Sequence, residues 1–438
     1  MAPERTITMW QSIKTILMRL FGVKPQSDGY YKRSAEWALA YENAEEINFT
    51  AIFASKLSSL AVTDSDVNVD GDNRRAAYIG DVLKATHAKA QKIVSSALGY
   101  GGAALVPCLL NGGLYVDIVP SGRFFVIEKS GDAIKKAIML SDYNVCNSRK
   151  YARWTEYTLE DGACVIRNKA TVDGAPFDLG ALPEWEGIAP EISVPGADQL
   201  LLGYMLCPID NRRPDCLSGV PITYGCDKII AQIQTTLEEE ADEFRLKRAF
   251  VGVDSTFFGK DDRLPKSGLF KLFDSTGGDL WREYSPEIRS AAYSARVQEL
   301  FELLEKAVGT SKGILTAPEA ATTATEVRRA QHDTFALVGN IRAAYKAAIS
   351  ELAQAVDILC NYYNLTPPGE YSIAFDFDQS MLEDTAETWQ QLKDGRSMGL
   401  RSKAELRAWQ TGETLAEAQA AVDEIEQNEP VISDLINA

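Results

Sequence analysis

The sequence has few of the residues on which enzyme and metal chemistry most often depends. Its 438 residues include only two histidines, His87 and His332, and neither stands at a recognisable spacing from a metal ligand or a nucleophile. The HExxH motif and the phosphate-binding loop with its lysine are absent from the sequence. We therefore expect no enzymatic activity, no cofactor and no bound metal.

Cysteine is also scarce and irregularly placed. The seven cysteines are an odd number and form no CxxC pair, which is typical of reduced thiols and not of a disulfide framework. Cys207, Cys216 and Cys226 lie nine and ten residues apart with no histidine nearby. We interpret them as buried thiols and not as metal ligands.

No apolar run approaches the roughly 20 residues that a membrane-spanning helix needs. The most apolar N-terminal stretch, residues 9–21, is interrupted by Lys14 and Arg19. Its apolar residues recur at helical spacing, so we expect an amphipathic arm that packs on its own or a neighbouring subunit. A membrane-surface helix and a signal peptide are the alternatives.

Positive charge is in deficit. Lysine and arginine number 45 against 62 aspartates and glutamates, which leaves a formal charge of −17. Such a chain is a poor candidate for coating nucleic acid, because that binding depends on many cations facing phosphates. Any contact with DNA must therefore be local.

The first half reads as helices followed by an antiparallel meander. Apolar spacing predicts helices over residues 34–62 and 76–98, and period-two patterns with the turns 111–113 and 161–162 predict hairpins. This order indicates an α+β fold. Residues 66–71 copy half of a calcium loop, but Ala77 stands where a bidentate glutamate is expected, so we interpret them as an acidic surface loop.

The second half is dominated by long helices. Residues 172–221 are rich in Pro, Gly and Asp, and we place a boundary at their end, near residues 218–221. A helix follows over 223–250, then short strands near 250–253, 269–273 and 280–284, and a second helix from Ser285 to Gly309. After a loop, a helix of about 40 residues carries Gly339 as its natural bend, and a strand precedes an acidic helical end.

The helix over 223–250 carries a dense acidic run at 238–243. A solvated face is the ordinary reading of such a run. A carboxylate metal cluster of a nuclease, built on Glu239, Asp242 and Glu243, is one alternative. The third is the wall of a hole in a ring, where negative charge would keep duplex DNA from sticking.

The order of these parts, together with several short stretches, resembles the portal proteins of tailed bacteriophages, the head-to-tail connectors. The resemblance covers nearly the whole chain. Its most specific stretches are LSGVPITYG at 217–225, VGTSKGIL at 308–315, TATEV from 323, FDFD at 375–378, MGLRSKAE at 398–405 and TLAEAQ at 414–419.

The resemblance implies an architecture of named parts. The wing would comprise residues 1–222 and 324–378, the stem helices 223–250 and 286–308, the clip 251–285, the tunnel loop 309–323 and the crown 379–438. Portal proteins form rings, twelve-fold in the virion, so the fold is expected to be ring-forming.

The same resemblance implies a function without catalysis. A portal ring occupies one vertex of the capsid, passes double-stranded DNA that the terminase large subunit pumps in, later binds a head-tail adaptor, and releases the genome at ejection. The major capsid protein and possibly a scaffold protein are further implied partners, and no membrane is. Assembly would occur in the host cytoplasm and the final location would be the virion.

The resemblance also implies site residues. They are Thr310, Ser311 and Lys312 near DNA, the stem residues Glu239, Glu243 and Lys247 along the channel, and the clip residues Phe257, Phe258, Lys260 and Leu269 facing a neighbour or the terminase. A merely solvated Lys312 is the alternative for the loop. For the whole chain, the alternatives are the nuclease and another virion or scaffold protein, such as a minor head protein or a peripheral membrane component using residues 9–21.

Overall fold

The structure of the chain, a computed structural model, describes residues 16, 18–22, 41–42, 47–131, 133–212, 217–246, 250–254, 269–272, 281–284, 289–317, 324–377, 385–411 and 413–428. Helices and mainly antiparallel strands occur in separate runs along these residues, which confirms the predicted α+β class. No helix within these ranges is long and apolar enough to cross a membrane.

The elements are numbered along the chain. The helices are α1 (Phe49–Val62), α2 (Arg74–His87), α3 (Ala90–Tyr100), α4 (Asp227–Leu246), α5 (Ser290–Val308), α6 (Ala324–Tyr362), α7 (Thr385–Ser397), α8 (Lys403–Thr411) and α9 (Leu415–Asn428). The strands are β1 (Ser65–Asp70), β2 (Gly102–Leu110), β3 (Gly113–Pro120), β4 (Phe124–Ser130), β5 (Ala133–Cys146), β6 (Arg149–Glu160), β7 (Ala163–Val172), β8 (Ala175–Phe177), β9 (Glu191–Pro195), β10 (Gly203–Leu206), β11 (Phe250–Asp254), β12 (Leu269–Leu272), β13 (Trp281–Tyr284) and β14 (Ser372–Phe377).

The helix predicted over 76–98 is wrong in one respect, because two helices occupy it. Ala88 and Lys89 form a turn between α2 and α3, and the Lys89 N–H donates to the Thr86 carbonyl at 2.9 Å. The apolar spacing continues across the turn because both helices bury residues in the same core. The apolar periodicity alone therefore could not reveal the break between the two helices. Of the helix predicted over 34–62, residues 34–40 and 43–46 lie outside the described residues.

Two antiparallel sheets follow. β3 and β10 flank β2 in the first, and β4 to β8 form a meander in the second, with β9 joined to β7. Both predicted hairpin turns are confirmed: Asn111 and Gly112 have φ of 51° and 79°, and Asp161 and Gly162 have 46° and 78°. Two consecutive residues at positive φ are what the tight two-residue hairpin turn requires.

We expected the acidic segment 66–71 to be a surface loop, but most of it is strand β1. It pairs antiparallel with β14, so that Val67 faces Phe375 and Asp66 faces Asp376 across the ribbon. Val67 is fully buried and Asp66 is exposed, so the alternation of acidic and apolar residues follows the two faces of a strand. The oxygen ligands of a calcium loop also recur at every second residue, so the same sequence pattern fits both structures.

Helix α6 is the longest element, at 39 residues or about 58 Å. Its middle and end carry core residues such as Tyr345, Ile349 and Leu352. Arg75 of α2 is completely buried against the end of α6, where it donates to the Asp357 carbonyl at 2.9 Å and to Asn361 Oδ1 at 2.7 Å and pairs with the Asp357 carboxylate. Helix α6 runs without interruption through Gly339, and a bend at this residue stays a prediction.

The chain divides into two compact units, residues 1–320 with 330–377, and residues 321–329 with 378–438. The segment 218–221, at which we placed a boundary, lies inside the first unit, and the boundary itself stays a prediction. Val220 is fully buried, and the Ile222 N–H donates to the Leu98 carbonyl at 2.8 Å. In the second unit, Trp389 and Trp409 stack with ring centroids 5.6 Å apart.

Candidate functional site: the helix pair and the loop that follows it

The site begins with the two helices predicted as the stem. Helix α4 begins at Asp227, four residues later than predicted, because Gly225 has a φ of 83°, which is incompatible with a right-handed helix. Helix α5 ends at Gly309 as predicted, with a left-handed φ of 88°. Its start is later than the predicted Ser285, because the helix begins at Ser290 and Arg289 before it is not helical, with φ −83° and ψ 36°.

The pair is rooted in the core at one end only. Ile233 of α4 and Leu300 and Leu304 of α5 are buried there, and the ring of Phe301 packs edge-on against Phe49 at 6.0 Å. No described residue from 234 to 245 or from 290 to 299 is buried. The other halves of both helices therefore leave the core of their own chain.

An ion pair joins the two helices at their exposed end. The carboxylate of Glu243 accepts from the Arg289 guanidinium at 3.1 and 3.3 Å and from the Arg289 backbone N–H at 3.2 Å. These hydrogen bonds lower the pKa of Glu243 to about 2. Glu243, which we expected along the channel, thus also fastens α4 to the N-terminus of α5. Glu239 is exposed on the same helix.

A small sheet connects the two helices in the chain. β11 is its central strand, parallel to β12 and antiparallel to β13. Leu269, one of the residues predicted at an interface, begins β12. Phe257, Phe258, Lys260 and the stem residue Lys247 lie outside the described residues.

The loop after α5 is held by the end of the helix. Thr310 is buried, and its N–H and hydroxyl donate to the Glu305 carbonyl at 2.9 and 3.1 Å. The Ser311 N–H donates to the hydroxyl of Thr334 on α6 at 2.9 Å. Of the three residues predicted near DNA, Thr310 and Ser311 therefore anchor the loop, and Lys312 is exposed between them and Gly313.

The Glu305 carboxylate organises residues 313–316 of this loop. Its Oε1 accepts backbone N–H groups from four consecutive residues, Gly313, Ile314, Leu315 and Thr316, at 3.3, 2.8, 2.6 and 3.2 Å. Its Oε2 accepts the Thr316 hydroxyl at 2.7 Å. Glu305 is 1% exposed, so the carboxylate is a buried charge whose solvation the loop backbone replaces.

Sequence reasoning missed Glu305 because a glutamate in a helix is ordinarily solvated. A usable signal was its place four residues before the glycine that ends the helix, followed by a short polar loop containing Gly313, whose φ is 123°. Such loops present successive N–H groups to one anion. Here the anion is the chain's own side chain.

Lys312 is not merely solvated. Its Nζ lies 3.0 Å from Glu302 Oε1, and the two side chains are 48% and 39% exposed. The hydrogen bond from Lys312 is the main cause that lowers the pKa of Glu302. The loop cation is thus paired with a carboxylate of α5, one turn before Glu305.

His87, Cys207 and Cys226 lie in packed positions. His87 lies with its Nδ1 2.9 Å from the Tyr345 hydroxyl and its Nε2 2.9 Å from the Ser65 carbonyl. Cys207 and Cys226 are buried, and burial raises the pKa of Cys226 to about 11. Cys216 lies outside the described residues. Within the part of the chain that the structure describes, no group of three or more His, Cys, Asp or Glu side chains is arranged to hold a metal ion.

No protein-family model matches the chain, and no curated protein matches its sequence. Among solved structures, the chain is similar to one described as a virion of a native gene transfer agent particle, with 11% identity, 91% of this chain and 98% of that chain covered, and a TM-score of 0.42. It is also similar to a chain from the neck of a native gene transfer agent particle computed with C12 symmetry, with 11% identity, coverage of 90% and 97%, and a TM-score of 0.42. At such identities and TM-scores, the likeness carries no argument about activity or assembly.

Proposed function

We propose that this chain is the subunit of a phage-type portal, a ring at one capsid vertex of a virion through which double-stranded DNA enters and leaves. In this proposal, the small sheet of β11 to β13 belongs to the clip, where the terminase large subunit and later a head-tail adaptor dock. The major capsid protein surrounds the ring, a scaffold protein assists its assembly in the host cytoplasm, and the ring catalyses no reaction.

The exposed faces of α4 and α5 carry this proposal. Helices of soluble proteins bury an apolar face, either in their own chain or against another one. Phe244 on α4 and Leu303 on α5 remain 52% and 49% exposed in the single chain. Neighbouring copies in a ring would cover such faces, and a stem made of many such pairs would enclose a channel.

Charge supports the same proposal. Glu238, Glu239 and Asp242 are exposed on α4, in a chain with a formal charge of −17. A wall with this charge repels phosphates, so duplex DNA would slide past it instead of adhering. The order of parts in the sequence, which resembles that of portal proteins, supports the proposal independently of the geometry.

The first test is the size and shape of the purified protein. We expect size-exclusion chromatography with light scattering to give a mass near twelve or thirteen times 48.1 kDa. Negative-stain class averages should then show rings with a central hole. A monomer at every concentration, or particles without a hole, would contradict the proposal.

Matched variants assign the ring contacts to the helix pair. We expect Phe244→Asp and Leu303→Asp to abolish rings and to leave a folded monomer with an unchanged circular dichroism spectrum. The control is Leu110→Asp, which places the same charge on a residue that is 59% exposed at the β2–β3 turn. Rings should persist in this control. If all three variants behave alike, the stem is not the interface.

The proposal that the ring catalyses no reaction has its own test. Incubation of the protein with duplex DNA and magnesium should leave the DNA intact. Cleavage that disappears in Glu239→Gln would instead support a nuclease.

A further inference from the structure

Two glutamates one turn apart on α5 hold different parts of the following loop. Glu305 is buried and binds the backbone of residues 313–316. Glu302 is partly exposed and pairs with the side chain of Lys312 at 3.0 Å. The backbone on both sides of Lys312 is therefore held, since Ser311 also donates to Thr334. The long Lys312 side chain is joined to α5 by a contact that faces water.

These two contacts differ in how readily another anion can replace them. A buried carboxylate with five hydrogen-bond donors cannot be exchanged without disrupting the loop. An ion pair that is about half exposed is weak and screened by salt. A phosphate that approaches Lys312 would offer the same charge-assisted hydrogen bond as Glu302 does.

We infer that Glu302 is the built-in counter-ion of Lys312 and limits how strongly the loop holds DNA. The inference rests on the proposed function, because it requires DNA to pass Lys312. With the pair formed, this part of the loop offers DNA no net positive charge. Lys312 then contacts a phosphate only by exchanging partners, and it returns to Glu302 when the phosphate has moved on.

The test measures duplex binding by assembled rings through fluorescence anisotropy between about 50 and 200 mM salt. We expect Glu302→Gln to tighten DNA binding roughly threefold at the lowest salt. The slope of the logarithm of the binding constant against the logarithm of the salt concentration should steepen by about one, as for one additional phosphate contact. In the Lys312→Gln background, the same Glu302→Gln change should have no such effect. Glu302 and Lys312 are partly exposed, so neither substitution threatens folding.

Glu299→Gln is the matched control. It removes the same charge from the same helix but leaves the pair of Lys312 intact, because Glu299 pairs with Arg296 at 3.1 Å. Any effect of Glu299→Gln on DNA binding should be the same in the wild-type and the Lys312→Gln backgrounds. If Glu302→Gln and Glu299→Gln act alike in both backgrounds, the inference is overturned while the ring stands. If the wild-type protein forms no rings, the proposed function fails and the inference fails with it.

Discussion

Glu305 is the residue on which the shape of the loop after α5 depends most directly. In Glu305→Gln, an amide NH2 replaces one oxygen in a site filled by donors, so buried N–H groups lose their acceptor. We expect a loss of about 2 to 3 kcal/mol in the free energy of unfolding, measured with urea. Trypsin cleavage after Lys312 should accelerate in the native protein, because the loop backbone is released.

The control for this prediction is Glu299→Gln, an exposed glutamate on the same helix. Its unfolding free energy and its rate of cleavage after Lys312 should match those of the wild type. Equal behaviour of the two variants would show that the Glu305 carboxylate does not hold the loop in solution.

The ion pair of Glu243 and Arg289 predicts a specific dependence on pH. The pKa of Glu243 is lowered to about 2 in the folded chain and returns to its ordinary value, about 4.3, on unfolding. Between these values, the unfolded chain binds more protons than the folded chain does. The contribution to stability is therefore complete above the ordinary pKa and decreases as the pH falls toward 2.

The measurement compares the wild type with Glu243→Gln in urea at several pH values from 3 to 7. The wild type should be more stable than the variant at pH 7, and the difference should shrink below about pH 4.5. A difference that is constant over this range would show that Glu243 is not ion-paired in solution.

At the scale of single residues, the sequence indicated positions but rarely contacts. Lys312 was singled out from the resemblance, yet its partner Glu302 was not, because nothing in the sequence says where a loop folds back onto a helix. Arg75 was missed for a similar reason, since an arginine in a helix is ordinarily exposed and only the fold brings the end of α6 to it.

At the scale of elements, β10 crosses α6 so closely that only glycine fits at residue 203. A Cβ on Gly203 would collide with the backbone carbonyl oxygen of Ala348, and this backbone is held inside a helix. We expect Gly203→Ala to cost at least about 3 kcal/mol in the free energy of unfolding, measured with urea, because the strand or the helix must shift.

Gly339→Ala is the matched comparison within α6. A Cβ at Gly339 meets no atom within 4 Å, and the residue is helical. Alanine should therefore stabilise the protein by about 0.5 to 1 kcal/mol. Destabilisation by Gly339→Ala would indicate that this position needs the freedom of glycine, as the predicted bend requires.

Most elements could be predicted because their residues repeat with the period of a helix or a strand. The β2–β3 hairpin and α6 were predicted from such patterns and from turn chemistry. The pairing of β1 with β14, about 300 residues apart, could not be predicted, because local patterns carry no information on which distant strands meet. The turn at residues 88–89 was missed because two short helices with one shared core have the spacing of a single helix.

At the scale of the whole molecule, ring assembly would cover apolar residues but would also bring like charges close together. Each copy carries a formal charge of −17, and exposed carboxylates lie on the same helices as Phe244 and Leu303. If covering these apolar residues drives the ring, the charges oppose it. Salt screens such repulsion over a distance that falls from about 14 Å at 0.05 M to about 4 Å at 0.5 M.

We therefore expect the proportion of rings to rise as sodium chloride increases from about 0.05 to 0.5 M at constant protein concentration. Light scattering after size exclusion in each buffer gives this proportion, and glycerol of equal osmolality controls for non-ionic effects. Glu238→Gln with Asp242→Asn should form rings at lower salt than the wild type, because less charge then needs screening. Rings that fall apart as salt increases would show instead that ion pairs between copies hold them together.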